Sequence, residues 1–282
     1  MLPPLNLAPF MLSKSSQVVL VTGASSGIGK AVGVELAKRG HRVFGTSRRF
    51  ETGFQDGGIE FIKMDVRKEE EVRSAISMVI ETAGRLDVVV NNAGLGMVGP
   101  IENTSDHESR EIFETNLFGV LNVCRACIPQ MRKQKRGYII NITSLAAQMG
   151  LPFRGIYSAS KFAVEGFTES LSQEVTQFGI KVVLIEPGDF NTNINESRKV
   201  SAFVDPAYRT QSDDILAQVR KEVSAAPTPE AIGRRIASII EKKNPALRYR
   251  VANLKQRFSL TLMRTLPGRV FEYLVMRHYK LK

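Results

Sequence analysis

The chain has 282 residues, of which 43% are hydrophobic and 24% are charged, and its formal net charge is +11. This composition is typical of a folded globular protein with a sizeable core, and it excludes extensive disorder. No apolar run is long enough to cross a bilayer as a helix. Two cysteines, Cys124 and Cys127, are too few for a disulfide framework and lack the second ligand pair of a structural zinc site. We therefore predict no metal and expect both thiols to pack in the core.

The charge is uneven along the chain. Residues 246–282 contain nine Lys and Arg side chains and a single acid, Glu272, whereas the rest of the chain is nearly balanced. Residues 1–16 lack the basic start and the small-residue cleavage site of a secretory signal. We predict a disordered tail over these residues and a cytoplasmic protein.

Apolar, β-rich runs alternate with segments of helical period from about residue 17 to residue 252, which is the pattern of βαβ units. The predicted strands are residues 17–22, 42–47, 59–64, 86–91, 137–143, 180–186 and 248–252. The predicted helices are residues 28–39, 67–83, 107–134, 154–178 and 229–243. The sequence therefore predicts an α/β, doubly wound (Rossmann) fold, in which helices flank a seven-stranded parallel sheet and a C-terminal helical extension follows.

A glycine-rich turn, TGASSGIGK at residues 22–30, lies between the first predicted strand and the first predicted helix. Gly23, Gly27 and Gly29 would let the backbone turn tightly and approach a pyrophosphate, whose charge the N-terminus of the helix would accept. A structural turn without a ligand is the alternative. The order strand, turn, helix favours the dinucleotide site.

The end of the second predicted strand bears on the choice of cofactor. An acid at this point would bind the ribose of NAD, but the sequence has Ser47, Arg48 and Arg49 instead. An arginine fork matches a phosphate in charge and geometry. We therefore predict NADP(H) as the preferred cofactor, with NAD(H) and solvated surface arginines as the alternatives.

The stretch YSASK at residues 157–161 places a phenol and an ammonium four residues apart in a predicted helix, so Tyr157 and Lys161 share one face. A nearby cation favours the phenolate and lowers the pKa of the phenol, which makes tyrosine an acid–base catalyst. We expect both side chains to face a cleft, beside the core-facing stripe of Ala163, Phe167, Leu171 and Val175. A half-buried aromatic and a solvated lysine are the alternative.

Together these motifs resemble one family. TGASSGIG at residues 22–29, Asp65-Val66, NNAG at residues 91–94, Asn116, Ser144, YSASK, and Pro187-Gly188 with Thr192 occur in the order that this family shows. From residue 17 to about residue 252 the chain resembles a single-domain short-chain dehydrogenase/reductase (SDR), and in particular the hydroxysteroid and retinol dehydrogenase branches. The resemblance implies one Rossmann-fold catalytic domain over residues 17–252.

The resemblance also implies the roles of individual residues. Tyr157 would exchange a proton with the substrate oxygen, Ser144 would hold that oxygen, and Lys161 would lower the pKa of Tyr157 and bind the nicotinamide ribose. Asn116 would bind a water that connects Lys161 to solvent. The implied cofactor contacts are Thr22, Gly23, Ser25, Ser26, Gly27, Ile28, Gly29, Ser47, Arg48, Asp65, Val66, Asn92, Ala93, Gly94, Tyr157, Lys161, Pro187, Gly188 and Thr192.

Residues 189–227 are predicted to form a lid over the substrate, and their apolar side chains indicate a hydrophobic pocket. Ordinary helix packing is the alternative explanation of these side chains. The predicted substrate contacts are Ser144, Met149, Phe153, Tyr157 and Phe190. The predicted substrate is a bulky hydrophobic carbonyl or alcohol compound, such as a steroid, retinoid or lipid-like molecule. The protein is predicted to form a homodimer or homotetramer.

Residues 253–282 form a basic, amphipathic extension. Leu254, Phe258, Leu262 and Leu266 share one helical face, and Pro267-Gly268 ends that helix before a second apolar pattern begins. Such a segment either lies peripherally on an anionic membrane or packs on the lid or on a second subunit. No nucleic-acid partner is predicted, because no reader motif accompanies the charge.

Three functions are compatible with these features. An NADP(H)-dependent oxidoreductase that interconverts a carbonyl and an alcohol is favoured by the complete set of Ser144, Tyr157 and Lys161. A sugar-nucleotide epimerase or dehydratase shares YxxxK, but the chain lacks the larger C-terminal substrate domain of such enzymes. A cofactor-binding sensor or membrane-associated adaptor without turnover would not need the catalytic set.

Overall fold

The computed structural model describes residues 16–192 and 198–281. Most of the predicted N-terminal tail, residues 1–15, therefore lies outside the described residues. The strands are β1 Val18–Val21, β2 Arg42–Ser47, β3 Gln55–Asp56, β4 Ile59–Lys63, β5 Val88–Asn91, β6 Met97–Val98, β7 Gly137–Ile142, β8 Ile180–Pro187, β9 Lys199–Val200 and β10 Arg248–Val251. The α-helices are α1 Gly27–Lys38, α2 Glu69–Ala83, α3 Asp106–Phe113, α4 Gly119–Gln134, α5 Gly155–Val175, α6 Pro206–Ser224, α7 Glu230–Ile240, α8 Leu254–Thr265 and α9 Gly268–His278.

The main sheet has the order β10-β8-β7-β5-β1-β2-β4-β3. Its first seven strands are parallel and correspond to the seven predicted strands, so the predicted α/β doubly wound fold is confirmed. The chain starts in the middle of the sheet, at β1, and the strand order reverses direction between β1 and β5. Ligands of such sheets bind beyond the carboxyl ends of the strands at this reversal.

The prediction missed the antiparallel edge strand β3, which pairs with β4 through Gln55 and Asp56. Gly57 and Gly58 join the two strands, and both adopt positive φ angles of 59° and 80°. Two polar residues show no hydrophobic period, so the sequence pattern does not indicate a strand at this position.

Helices cover both faces of the sheet and enclose two halves of the core. On one face α2, α4 and α5 pack against the strands, with Val72, Cys127 and Leu171 among the buried side chains. On the other face α1 and α7 do so, with Leu36 and Ile236. Both cysteines are free thiols buried in the first of these clusters, as predicted.

The helix predicted over residues 107–134 is not uniform. Between α3 and α4 the backbone forms a π-helical turn, Glu114–Phe118. A π-turn holds one residue more than an α-turn and is often found at functional sites. Here it contains Asn116, which is fully buried.

The buried face of α5 also differs from the prediction. Lys161, Val164, Thr168 and Leu171 face the sheet, whereas Ala163 and Phe167 are only partly buried. Leu171 and Val175 of the predicted apolar stripe are buried in the core and Phe167 packs against it. The polar residues Lys161 and Thr168 are buried as well because they find hydrogen-bond partners in the sheet. The helix that carries YSASK therefore buries its lysine in the core of the protein.

The predicted lid contains β9, which pairs with β6 in a small parallel sheet, and α6. Asp205 caps the N-terminus of α6 by accepting a hydrogen bond from Ala207 N at 2.8 Å, and Pro206 occupies the first helical position. The C-terminal extension forms two helices, and α9 packs on the lid helix through Val275 and Tyr279. No described helix is both long and apolar enough to span a membrane.

Candidate active site

A cavity of about 320 Å³ lies at the carboxyl ends of the central strands, on the side where the strand order reverses. Its walls hold most of the residues that the sequence predicted to bind the cofactor: Gly23, Ser25, Ser26, Gly27, Ile28, Ser47, Arg48, Asp65, Val66, Asn92, Ala93, Gly94, Tyr157, Lys161, Pro187, Gly188 and Thr192. Thr22 and Gly29 are not part of these walls. The structure therefore brings residues from five strand ends into one cleft.

The glycine-rich turn lines the cleft with backbone. Gly23 has a φ angle of 65°, and a Cβ atom at this position would lie 3.0 Å from Ala93 Cα. Gly27 also has a positive φ angle, of 55°, and begins α1 behind Ser26, whose side chain makes no capping bond. The first amides of α1 are therefore directed at the cleft without a side-chain cap, as an anion-binding helix N-terminus requires.

Thr22 and Asn92 hold this turn against the end of β5. Thr22 Oγ1 accepts hydrogen bonds from Asn92 N and Ala93 N, both at 3.0 Å. In return, Asn92 Nδ2 donates to Thr22 O at 2.9 Å and to Gly23 O at 3.1 Å. Thr22 thus shapes the cleft from behind its wall.

At the end of β2 and β4 the cleft is lined by charged side chains. Asp65 accepts two bonds from the guanidinium of Arg67, with Nε at 3.0 Å and Nη2 at 2.6 Å. Burial favours the neutral acid, but the bonds from Arg67 outweigh it and lower the pKa of Asp65. Arg48 lies 4.0 Å from the same carboxylate, and 60% of its side chain is exposed. This guanidinium has the freedom to bind an added anion.

Tyr157 and Ser144 are neighbours in the wall of the cleft, within hydrogen-bonding distance of one another. Burial raises the pKa of Tyr157, and the hydrogen bond from Ser144 opposes this effect, as do the charges of Arg154 and Arg198. The sequence predicted Lys161 as the main opposing group, whereas the largest opposing contributions come from these three residues. The phenol is consequently protonated at neutral pH.

Lys161 is buried below the cleft, one helical turn after Tyr157. Its Nζ atom donates to Ile142 O at 3.1 Å, and burial lowers its pKa from 10.5 to about 8. A Cβ atom on Gly94 would lie 3.5 Å from this Nζ and 3.2 Å from Asn116 Oδ1. A side chain at position 94 would therefore crowd the amide of Asn116 and make only an ordinary contact with the lysine.

Asn116 is tied to two neighbours by its side chain. Its Oδ1 accepts from Leu95 N at 2.7 Å, and its Nδ2 donates to Leu95 O at 2.9 Å and to Ser160 Oγ at 3.0 Å. The amide thus connects the π-turn, the loop after β5 and α5. Its predicted role in holding a water remains a prediction.

Polar side chains also cross the middle of the sheet beneath the site. Asn91 Nδ2 donates to Asn141 Oδ1 at 2.8 Å, and Asn141 Nδ2 donates to Thr168 Oγ1 at 2.8 Å. Closer to the cleft, Thr143 donates to Glu165 at 2.8 Å. These bonds fasten α5 to β5 and β7, and they explain why this helix can bury polar residues.

The substrate end of the cavity is more polar than the sequence predicted. Ser144, Tyr157 and Phe190 line the cavity as expected, together with Val223 of α6. The predicted contacts Met149 and Phe153 do not line it. Phe153 has a φ angle of 57° and packs with the cluster of Ile215, Val219 and Tyr279 instead.

Three charged residues in this part of the cavity were missed by the prediction: Arg154, Asp189 and Arg198. Burial raises the pKa of Asp189, and Arg154 opposes that rise. Asp189 accepts a hydrogen bond from Gln256 Nε2 of α8 at 2.6 Å, and Arg154 donates to the hydroxyl of Tyr279 after α9. A signal existed for two of them, because Arg154 precedes Tyr157 by three residues and Asp189 follows the Pro187-Gly188 strand end.

Comparisons with known proteins agree with this geometry. A family model described as short chain dehydrogenase matches residues 17–201. The chain belongs to the short-chain dehydrogenase family. It is 40% identical to the 3-ketodihydrosphingosine reductase of Bacteroides thetaiotaomicron, over 94% of this chain and 99% of that protein. It is 32% identical to human retinol dehydrogenase 8, over 91% and 88% of the two chains, so the predicted similarity to retinol dehydrogenases is confirmed.

Solved structures of this family share the fold. A short-chain dehydrogenase from Streptomyces avermitilis matches with a TM-score of 0.78 and 33% identity, over 94% of this chain and 97% of that one. A metagenomic short-chain oxidoreductase in complex with NADP matches with a TM-score of 0.66 and 27% identity, over 86% and 98%. This SDR chain is therefore an oxidoreductase that acts on a CH–OH or carbonyl group with a nicotinamide cofactor.

Proposed function

We propose that this SDR enzyme is an NADP(H)-dependent reductase of a long-chain, lipid-like ketone, with Tyr157 as the proton donor. The observation that carries the substrate class is the similarity to a 3-ketodihydrosphingosine reductase, which extends over nearly the full length of both chains. The retinol dehydrogenase, at lower identity, also has a hydrophobic substrate by name. The substrate that we propose, a ketone on a long apolar chain, is of the kind that the name of the first relative states.

Two features of the cleft support a dinucleotide with an added phosphate as the cofactor. The uncapped N-terminus of α1 and the bare backbone at Gly23 suit a pyrophosphate, which carries negative charge and needs close approach. Arg48 and Arg49 line the same cleft, and the carboxylate of Asp65 is already engaged by Arg67. A 2'-phosphate would thus meet the guanidinium of Arg48, which is 60% exposed and only distantly paired with Asp65, and not a free carboxylate. This supports NADP(H) over NAD(H).

The chain's own residues would perform the proton transfer. A bound nicotinamide supplies the hydride for the carbonyl carbon. Tyr157 donates its proton to the carbonyl oxygen, and Ser144 donates a hydrogen bond to the same oxygen. Lys161, charged below a pH of about 8, stabilises the phenolate that is left behind. The raised pKa of Tyr157 keeps the phenol protonated before this step, which suits reduction.

The proposal is tested by following the absorbance of reduced nicotinamide with purified protein and a panel of ketones. The panel contains a long-chain 3-keto sphingoid base, a short ketone, retinal and a steroid ketone. We expect NADPH oxidation with the sphingoid base, at a kcat/KM at least about tenfold above the other members. Faster turnover of retinal or the steroid would refute the substrate class, and faster oxidation of NADH than of NADPH would refute the cofactor preference.

The predicted homodimer or homotetramer stays a proposal. Phe118 and Phe162 are 45% and 44% exposed on neighbouring helical segments, and a second copy could cover them. Sedimentation equilibrium of the wild type and of a Phe162→Ser variant measures this. A monomer at all concentrations would contradict the proposal.

A further inference from the structure

The two C-terminal helices expose an unusual amount of apolar surface. On α8, Leu254 is 81% and Phe258 is 61% exposed, and their spacing of four residues places them on one face. On α9, Tyr273 is 61% exposed and lies between two further exposed apolar residues, Val270 and Leu274. The opposite faces of both helices are held against the protein through Leu260 and Val275. The outward faces therefore expose apolar side chains that no described residue of the chain covers.

Basic side chains surround these apolar residues. The described part of the two helices and their ends contains six Lys and Arg side chains and one acid; the basic residues are Lys255, Arg257, Arg264, Arg269, Arg277 and Lys280. The acid, Glu272, pairs with Arg269 at 2.8 Å. Exposed apolar side chains among basic ones are what a helix needs to lie in the interface of an anionic bilayer.

The charge also argues against a second copy as the occupant. A two-fold symmetric contact places the same patch on both subunits, so basic residues would face basic residues. Anionic lipid headgroups instead attract each Lys or Arg that lies near the surface. Of the two occupants, the membrane surface is the one that complements this charge.

The same two helices border the cavity. Gln256 of α8 donates to Asp189, and Tyr279 after α9 accepts from Arg154, and both Asp189 and Arg154 line the cavity. Residues of the C-terminal helices are thus one hydrogen bond away from the substrate end of the site. A surface bound to these helices would lie beside the entrance to the cleft.

We propose that α8 and α9 form a docking hairpin that binds the surface of an anionic lipid bilayer and holds the substrate end of the cleft beside it. Leu254 and Phe258 enter the headgroup region, and Lys255 and Arg257 contact anionic headgroups. Binding is peripheral and does not require turnover, so the inference goes beyond the proposed activity and is measured independently of it.

The experiment is cosedimentation of the full chain with vesicles of phosphatidylcholine, with or without phosphatidylglycerol. We expect binding to the anionic vesicles and little to the neutral ones. Replacing Lys255 and Arg257 together by glutamine lowers the partition coefficient about 30-fold, since each basic side chain near an anionic surface contributes about 1 kcal/mol. Leu254→Ser with Phe258→Ser lowers it by about tenfold or more.

A matched control tests whether the place of the charge matters. Lys242 and Lys243 follow α7 at the amino ends of the strands, away from the cleft, where the backbone of Lys242 accepts a bond from Tyr138. Replacing both by glutamine removes the same charge and should change binding less than about twofold. Three results would each overturn the proposal. They are an equal loss of vesicle binding in the Lys242 and Lys243 variant, equal binding of the wild type to neutral and anionic vesicles, and unchanged binding of the Leu254 and Phe258 variant. A dimer that these two substitutions abolish, without vesicle binding by the wild type, would assign the hairpin to a second copy instead.

Discussion

Replacing Lys161 by methionine is expected to stabilise the protein in the absence of cofactor, although this lysine is assigned to the active site. Burial lowers the pKa of Lys161 from 10.5 to about 8, and each pKa unit corresponds to about 1.4 kcal/mol, so the buried charge costs about 3 kcal/mol at neutral pH. Methionine has a similar length and no charge. It loses the bond to Ile142 O, which contributes about 1 kcal/mol. The expected net gain in the free energy of unfolding is about 2 kcal/mol.

The sign of the pH dependence follows from the same shift. Between a pH of about 8 and 10.5 the unfolded chain still binds the proton that folded Lys161 has lost, so the wild type becomes more stable as the pH rises through this window. The methionine variant lacks this contribution. The stability gap between the two proteins should therefore shrink by about 2 kcal/mol between about pH 7 and about pH 9.5.

Urea unfolding of both proteins at the two pH values, followed by circular dichroism, measures this gap. A variant that is less stable than the wild type at neutral pH would show that the lysine is not strained by burial. A gap that does not change with pH would show that its proton affinity is the same in the folded and unfolded chains. Either result would refute the assigned desolvation of Lys161.

Three further substitutions test other parts of the site. Tyr157→Phe should lower kcat by about 10²-fold or more, because it removes the proton donor, and should leave NADPH affinity within about twofold; stopped-flow turnover and fluorescence titration measure the two. Thr22→Val should lower the free energy of unfolding by about 1 to 3 kcal/mol in urea titrations, since two partly buried amides lose their acceptor. Arg48→Ala should raise the Kd of NADPH by about tenfold or more and that of NADH by less than about twofold.

Each of these has a matched control. Tyr157→Phe is compared with Tyr138→Phe, which removes a phenol at the amino end of β7 that donates to Lys242 O. Thr22→Ser keeps the accepting hydroxyl, so its free energy of unfolding should be closer to that of the wild type than to that of Thr22→Val. Arg73 is as exposed as Arg48 but lies on α2, so Arg73→Ala should leave the Kd of NADPH unchanged. Three results would contradict the respective assignments: a kcat of Tyr157→Phe close to that of the wild type, full stability of Thr22→Val, or equal weakening of both cofactors by Arg48→Ala.

Hydrophobic period predicted the parallel sheet because most of its strands have a run of buried β-branched or aliphatic residues, although the edge strand β10 has none. The same criterion could not find β3, whose two residues are polar, although Asp56, Gly57 and Gly58 form a recognisable turn. The hydrophobic pattern also did not indicate the π-turn at Asn116. One inserted residue shifts the spacing of apolar side chains over only one turn. Backbone detail of this kind is set by tertiary hydrogen bonds, here those to Leu95 and Ser160.

The location of the site was accessible because parallel strands bring their carboxyl ends to one edge. The prediction was less successful at the substrate end, where it relied on apolar side chains. Phe153 is turned away by its left-handed backbone and packs under α6, whereas Arg154, the next residue, lines the cavity. A count of hydrophobic residues cannot show which of two neighbours faces a ligand. Contacts from α8 and α9 to this region, through Gln256 and Tyr279, join segments too distant in sequence for spacing to reveal.

The hydrogen bonds that join Asn91, Asn141 and Thr168 fix the position of the helix that carries Tyr157. Aliphatic side chains pack almost equally well after a small slide along a sheet, but donors and acceptors do not. A shift of one residue would place carbon opposite each amide and leave several buried polar atoms without partners. These three residues therefore permit only one position of the helix along the sheet. That position also fixes the distance of the Tyr157 phenol from the strand ends.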